Sequence, residues 1–89
     1  MGDTWNALAD PTRREILNML REGDKNAGEI AAAFSISKPS ISHHLNVLRQ
    51  AGLVDAEKKG QNINYSLNMS VVQDMMRLFA QLLDKKEDF

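Results

Sequence analysis

Apolar positions recur along most of this chain at helical spacing, then switch to strict alternation over one short stretch. Residues 3–9, DTWNALA, read as a short first helix, with Asp3 as candidate N-cap and Trp5 and Leu8 on one side. Asp10-Pro11 is a strong start signal, because Asp caps well and Pro suits the first helical position. The helix PTRREILNMLREG follows, with Ile16, Leu17 and Leu20 at 3.6-like spacing, Met19 flanking and Gly23 ending it. NAGEIAAAF offers Asn26 as a cap with Glu29 three places on, a capping-box pattern, and Ala31, Ala32 and Ala33 favour helix and let neighbours approach. SIS then breaks the pattern as a three-residue spacer. Ser37 can cap a further helix, KPSISHHLNVLRQAG, closed by Gly52. Two helices over 27–51 around so short a spacer are the sequence mark of a helix-turn-helix.

After Gly52 the period changes. Ile63, Tyr65 and Leu67 alternate, which predicts a strand with one buried face. LVDAE supplies a partner strand and KKGQ a short hairpin loop, so that 53–67 forms a wing with Lys58 and Lys59 at its tip. Asn68 or Ser70 then caps a last helix over 69–86. The expected architecture is a single domain over 1–89, mostly α with a two-stranded β-hairpin wing: a winged helix-turn-helix in the order ααααββα.

The formal net charge of -1 argues against a nucleic-acid partner only as an average. Asp3, Asp10, Glu15, Glu22, Asp24 and Glu29 crowd the first third, and Asp84, Glu87 and Asp88 the end, whereas residues 30–54 hold no acid at all. Distribution decides what a surface attracts. With Ile41 set at the centre of the buried face, Leu45 falls at about 40° and Leu48 at about 340°, at 100° per residue. The opposite face then carries Pro39, His43, Asn46 and Gln50, flanked by Ser40 and Val47. Short polar side chains without carboxylates can approach phosphates and base edges, and Asn or Gln pairs well with adenine. Ser37, Lys38 and Ser40 lie in the first turn, where free N–H groups favour a phosphate. The expected base contacts are Ser40, Ser42, His43 and Asn46, and the expected phosphate contacts are Ser37, Lys38, Arg49, Lys58 and Lys59. The competing reading is a solvated helix face beside a plain charged turn.

His43 points outward on this wheel, whereas His44, at about 300°, sits at the core margin and reads as a hydrogen-bonded structural residue. Adjacent histidines on a helix diverge and make a poor shared metal site. With no cysteine and no third histidine, no metal or cofactor is expected. An enzyme is not expected either, since there is no Gly-rich phosphate loop and no acid–base pair. No apolar run reaches the ~18 residues of a membrane span, and MGDTW lacks an export pattern, so a cytoplasmic location is expected.

DPTRREIL, AGEIAAAFSISKPSISHHLNVLRQAGLV and KGQNINYSLN together closely resemble the ArsR-type winged helix-turn-helix repressors over residues 5–67, and within them the SdpR-like autorepressors. The resemblance implies a homodimer that binds an operator in double-stranded DNA and represses transcription. It places the helix matching 38–51 in the major groove and the first and last helices, 3–9 and 69–86, at the dimer interface. The thiolate pair of metal-sensing members is replaced by alanines here, and no histidine stands among Val72, Gln73, Asp74, Met75 and Met76, so metal sensing is not implied. The resemblance does imply autoregulation, with release when a membrane-bound immunity-type protein sequesters the repressor.

The last helix supports pairing independently. Val71, Val72, Met75, Met76, Leu78, Phe79, Leu82 and Leu83 spread beyond the ~100° stripe that one core contact needs. The expected interface comprises Trp5, Leu8, Val72, Met75, Met76, Phe79, Leu82 and Leu83. A two-fold dimer would present two reading helices to an inverted repeat. Two rival functions share this fold: a protein-docking module without a DNA role, and an allosteric small-ligand sensor.

Overall fold

The computed structural model describes residues 2–84; the expectations for the segment beyond Asp84 lie outside the described residues. Five helices and three strands follow in the order α1 (Gly2–Leu8), α2 (Pro11–Arg21), β1 (Lys25–Asn26), α3 (Ala27–Ala32), α4 (Lys38–Gln50), β2 (Val54–Lys59), β3 (Asn62–Leu67) and α5 (Met69–Asp84). The core joins Ile16 and Leu20 of α2, Ile30 of α3, and Ile41, Leu45 and Leu48 of α4 to Leu53, Val54 and Met75. Each fully buried aliphatic side chain contributes about 1.5–3 kcal/mol relative to exposure.

Helix caps follow the sequence closely. The Asp10 carboxylate accepts from the amides of Thr12 (2.8 Å) and Arg13 (3.2 Å), with Pro11 opening α2. Asn26 and Glu29 form the reciprocal capping box at 2.8 and 2.9 Å. Ser37 caps α4, and Gly52, at φ 79°, takes the left-handed position that ends it. Asn68 caps α5 by accepting from the amides of Ser70 and Val71. Asp3 is not a cap, because α1 already begins at Gly2 and Asp3 sits in its first turn. The interval between α3 and α4 is residues 33–37 rather than three residues, since Ala33 and Phe34 leave the helix in turns bonded to Ile30 and Ala31.

The sheet holds a third strand that the periodicity did not reveal. β1 pairs with β3 and β3 with β2, all antiparallel, in the order β1-β3-β2. A strand of two residues has no alternation to read, and Asn26 serves both as ladder partner of Asn64 and as cap of α3. The β2–β3 turn is Gly60-Gln61 with Gly60 at φ 62°, a conformation glycine adopts without strain. Lys58 and Lys59 therefore end strand β2 instead of lying in the loop. Ile63 is 43 % exposed, unlike its half-buried face-mates Tyr65 and Leu67, because it pairs with Lys58 beyond the end of the core. Tyr65 and Leu67 do pack against the core.

The Asp10 carboxyl is shaped by opposed effects. Desolvation would raise its pKa, but the hydrogen bonds from the Arg13 and Thr12 amides, helped by the nearby Arg13 guanidinium, outweigh that and hold it below its ordinary value. A carboxyl depressed in the folded state stabilises above its unfolded pKa, and that contribution is lost as pH falls through the folded value. Asp10→Ala should lower unfolding free energy by about 0.5–2 kcal/mol at neutral pH. In urea titrations the gap between variant and parent should shrink once the pH drops below about 4.

Candidate nucleic-acid interface

α4 is set by its buried face. Ile41, Leu45 and Leu48 are at most 2 % exposed, which turns Ser40, Ser42, His43, Asn46 and Arg49 outward. Ser37 and Lys38 at its start are also exposed. The Ser37 hydroxyl accepts from the Ser40 amide at 3.3 Å and donates to the Ser40 hydroxyl at 3.0 Å. The first turn is thus ordered by its own serines, and the Ser37 oxygen is engaged in capping. Arg49 donates to the Asn46 side-chain oxygen at 3.4 Å, so Asn46 turns its amide donors away from that contact. The rings of His43 and His44 lie 5.9 Å apart and tilted by 55°. His43 is exposed and His44 half-buried, its Nδ1 3.3 Å from Arg13 Nη1.

The ribbon β2–β3 leaves the body where Val54 packs beneath α4 and grows steadily more exposed toward Gly60. Successive strand residues face opposite ways, so Lys58 and Lys59 project from the two faces of the ribbon. Lys59 pairs with Glu57, on its own face, at 3.7 Å in full solvent. A pair this exposed is worth little and yields readily to another anion. Lys58 shares its face with the exposed Ile63. Gln61 and Asn62, which the pattern of charges did not single out, also stand at the tip beside the lysines.

A second exposed surface lies on the far helices. Met76, Phe79, Leu82 and Leu83 of α5 are all more than half exposed, Leu83 the most at 67 %. Such a run of large apolar side chains is unusual for a surface that stays in water. Val72 is half-buried. Trp5 of α1 meets Phe79 edge-on at 5.6 Å, and Leu8 borders a groove of about 480 Å³ between α2 and α5. Met75 departs from the expectation that grouped it with these. It is 8 % exposed and belongs to the buried core of its own chain.

The pattern of the family described as bacterial regulatory protein, arsR family, matches residues 10–56, from the α2 cap to the wing. The chain belongs to the ArsR family. Among its relatives is the transcriptional repressor SdpR of Bacillus subtilis, 49 % identical over 88 residues, with 99 % of this chain and 98 % of that protein covered. An ArsR-like transcriptional regulator from Rhodococcus superposes with a TM-score of 0.85 at 30 % identity, covering 98 % of this chain and 82 % of that one. A homodimeric winged helix-turn-helix DNA-binding domain from Mycobacterium bovis gives 0.76 at 27 % identity, covering 94 % and 78 %. This ArsR-family chain is accordingly a DNA-binding winged helix-turn-helix regulator and not an enzyme.

The contrast between the two adjacent methionines is testable. Met75→Ala should destabilise each chain by about 2 kcal/mol, the low end for such truncations because the neighbouring groove already limits its contacts. Met76→Lys should leave the fold intact by circular dichroism. Sedimentation should show self-association weakened about tenfold or more, since two-fold symmetry would set the charge in an apolar seam twice.

Proposed function

We propose that this protein is a transcriptional repressor that binds an inverted-repeat operator as a two-fold homodimer. α4 of each copy enters a major groove and the wing grips the flanking backbone. The observation that carries this reading is the solvent face of α4, which from Ser37 to Gln50 offers hydroxyls, amides, an imidazole and two bases without a single carboxylate. Ser40, Ser42, His43 and Asn46 read base edges; Ser37, Lys38, Arg49, Lys58 and Lys59 neutralise phosphates. Trp5, Leu8, Val72, Met76, Phe79, Leu82 and Leu83 form the seam between copies, in keeping with the homodimeric Mycobacterium bovis neighbour. Successive major grooves on one side of DNA lie ~34 Å apart, which sets the half-site separation.

The full-length likeness to a named repressor supports repression over activation. The resemblance to SdpR-like autorepressors supports autoregulation in the cytoplasm, relieved when a membrane-bound immunity-type partner sequesters the dimer. Among the described residues no helix is long and apolar enough to cross a membrane. A switch other than metal is the reading that the absence of cysteine favours.

Fluorescence anisotropy with the protein's own promoter tests the reading. His43→Ala should lose ~1–3 kcal/mol on the preferred site and little on scrambled DNA. Lys59→Ala should weaken both alike and reduce the slope of log affinity against log salt by about 0.9. Failure of the parent protein to prefer any promoter fragment over random DNA would reject the proposal. A zinc-induced rise in melting temperature would reject the non-metal part alone.

A further inference from the structure

Arg13 joins three helices through one side chain. Its Nε donates to the Ala7 carbonyl at 2.8 Å and its Nη2 to the Asn6 carbonyl at 3.1 Å, both at the C-terminal end of α1. Its Nη1 lies 3.3 Å from Nδ1 of His44, in the middle of α4. A guanidinium only donates, so Nδ1 is the bare, accepting nitrogen and the neutral ring carries its proton on Nε2. The backbone of Arg13 is fixed as well, its amide held by the Asp10 carboxylate. At the other end of α4 the Thr4 hydroxyl, buried on α1, donates to the Ala51 carbonyl at 3.3 Å. α1 thus holds α4 at two points, directly at its C-terminal end and through Arg13 near its middle. His44 directly follows His43 on the outer face.

We propose that Arg13 is a positioning residue for DNA recognition: by tying His44 to the end of α1 it fixes the tilt of α4 relative to the seam between copies. The inference rests on the homodimer reading above. In a two-fold dimer an error in the tilt of one reading helix is repeated in the other, so the two change their separation together. A loosened clamp should therefore blur the preference for half-site spacing more than it lowers affinity for DNA in general.

The experiment measures binding to an inverted-repeat operator and to versions with the half-sites moved closer or farther by one base pair. Melting temperature and sedimentation are recorded for every variant. The parent protein should discriminate against altered spacing by roughly tenfold, within the range of coupling between contacting groups. Arg13→Gln and His44→Leu should each lose most of that discrimination while remaining dimeric and binding random DNA as before. His44→Asn, which can keep an acceptor near the place of Nδ1, should retain it. The combined Arg13→Gln/His44→Leu variant should be no worse than either alone. Additive losses, or undiminished discrimination in His44→Leu, would overturn the proposal while leaving the repressor reading intact. A parent protein with no preference for the inverted repeat would overturn the repressor reading itself, and this inference with it.

Discussion

The burial of Ile41, Leu45 and Leu48 along one side of α4 is the constraint from which the rest of the molecule follows. A helix of 13 residues with three side chains locked into the core cannot rotate about its axis without exposing them. That fixes which residues meet solvent. The outer face of α4 is therefore presented in one setting, with His43 between Ser40 and Ser42 on its two flanks and the Asn46–Arg49 pair one turn on. Val54 and Leu53 extend the same core under α4 and anchor the root of the ribbon. The wing is thus tied to α4 at its base, while its lysines stand exposed at the other end, Lys59 in a loose ion pair with Glu57.

Around that core the polar contacts act as joints. α1 has only seven residues, too short to persist alone in water. It is retained by the burial of Ala7 and by hydrogen bonds that its neighbours supply. Arg13 and Arg14 donate to the carbonyls of Asn6, Ala7 and Leu8 at the C-terminal end of α1, where the Asn6 carbonyl also accepts from the Ala9 amide. The stretch DPTRR accordingly does two jobs: its aspartate starts one helix and its arginines finish the one before. Such bonds contribute about 1 kcal/mol each, but their directionality fixes an angle that apolar packing alone would leave looser.

α5 leaves the body of the chain only partly covered. Met75 faces inward, whereas Met76, Phe79, Leu82 and Leu83 face out, and the Trp5–Phe79 contact joins this face to α1. Along α5 only Met75 is buried, and the four large apolar side chains on its other side are more than half exposed. None of the other helices among the described residues covers that exposed face. In the proposed homodimer a second copy would supply that cover, and the two α4 helices would then be related by symmetry.

Much of the architecture was legible in the residues because it rests on local chemistry. Asp10-Pro11, the Asn26–Glu29 box, Ser37 and Gly52 mark helix ends by hydrogen bonds and backbone angles that span a few residues. The inward Ile41–Leu45–Leu48 stripe and the outward His43 followed from the 3.6-residue period. Helix ends were misjudged locally at Asp3 and at Ala33–Phe34, whereas the larger features that sequence did not reveal depend on partners distant along the chain. β1 is a strand only because β3 lies beside it. Ile63 continues the alternation of Tyr65 and Leu67 but stands past the edge of the core. Met75 and Met76 are chemically alike, and only the folded chain decides which one is buried. Arg13 reads as an ordinary helix-surface base until the folded chain brings His44, 31 positions away, to its guanidinium. Period and capping thus fixed the elements and their faces, since both act within a turn or two of backbone. Which faces meet, and at what angle, was decided by packing across the whole chain, where geometry in space replaces order in sequence.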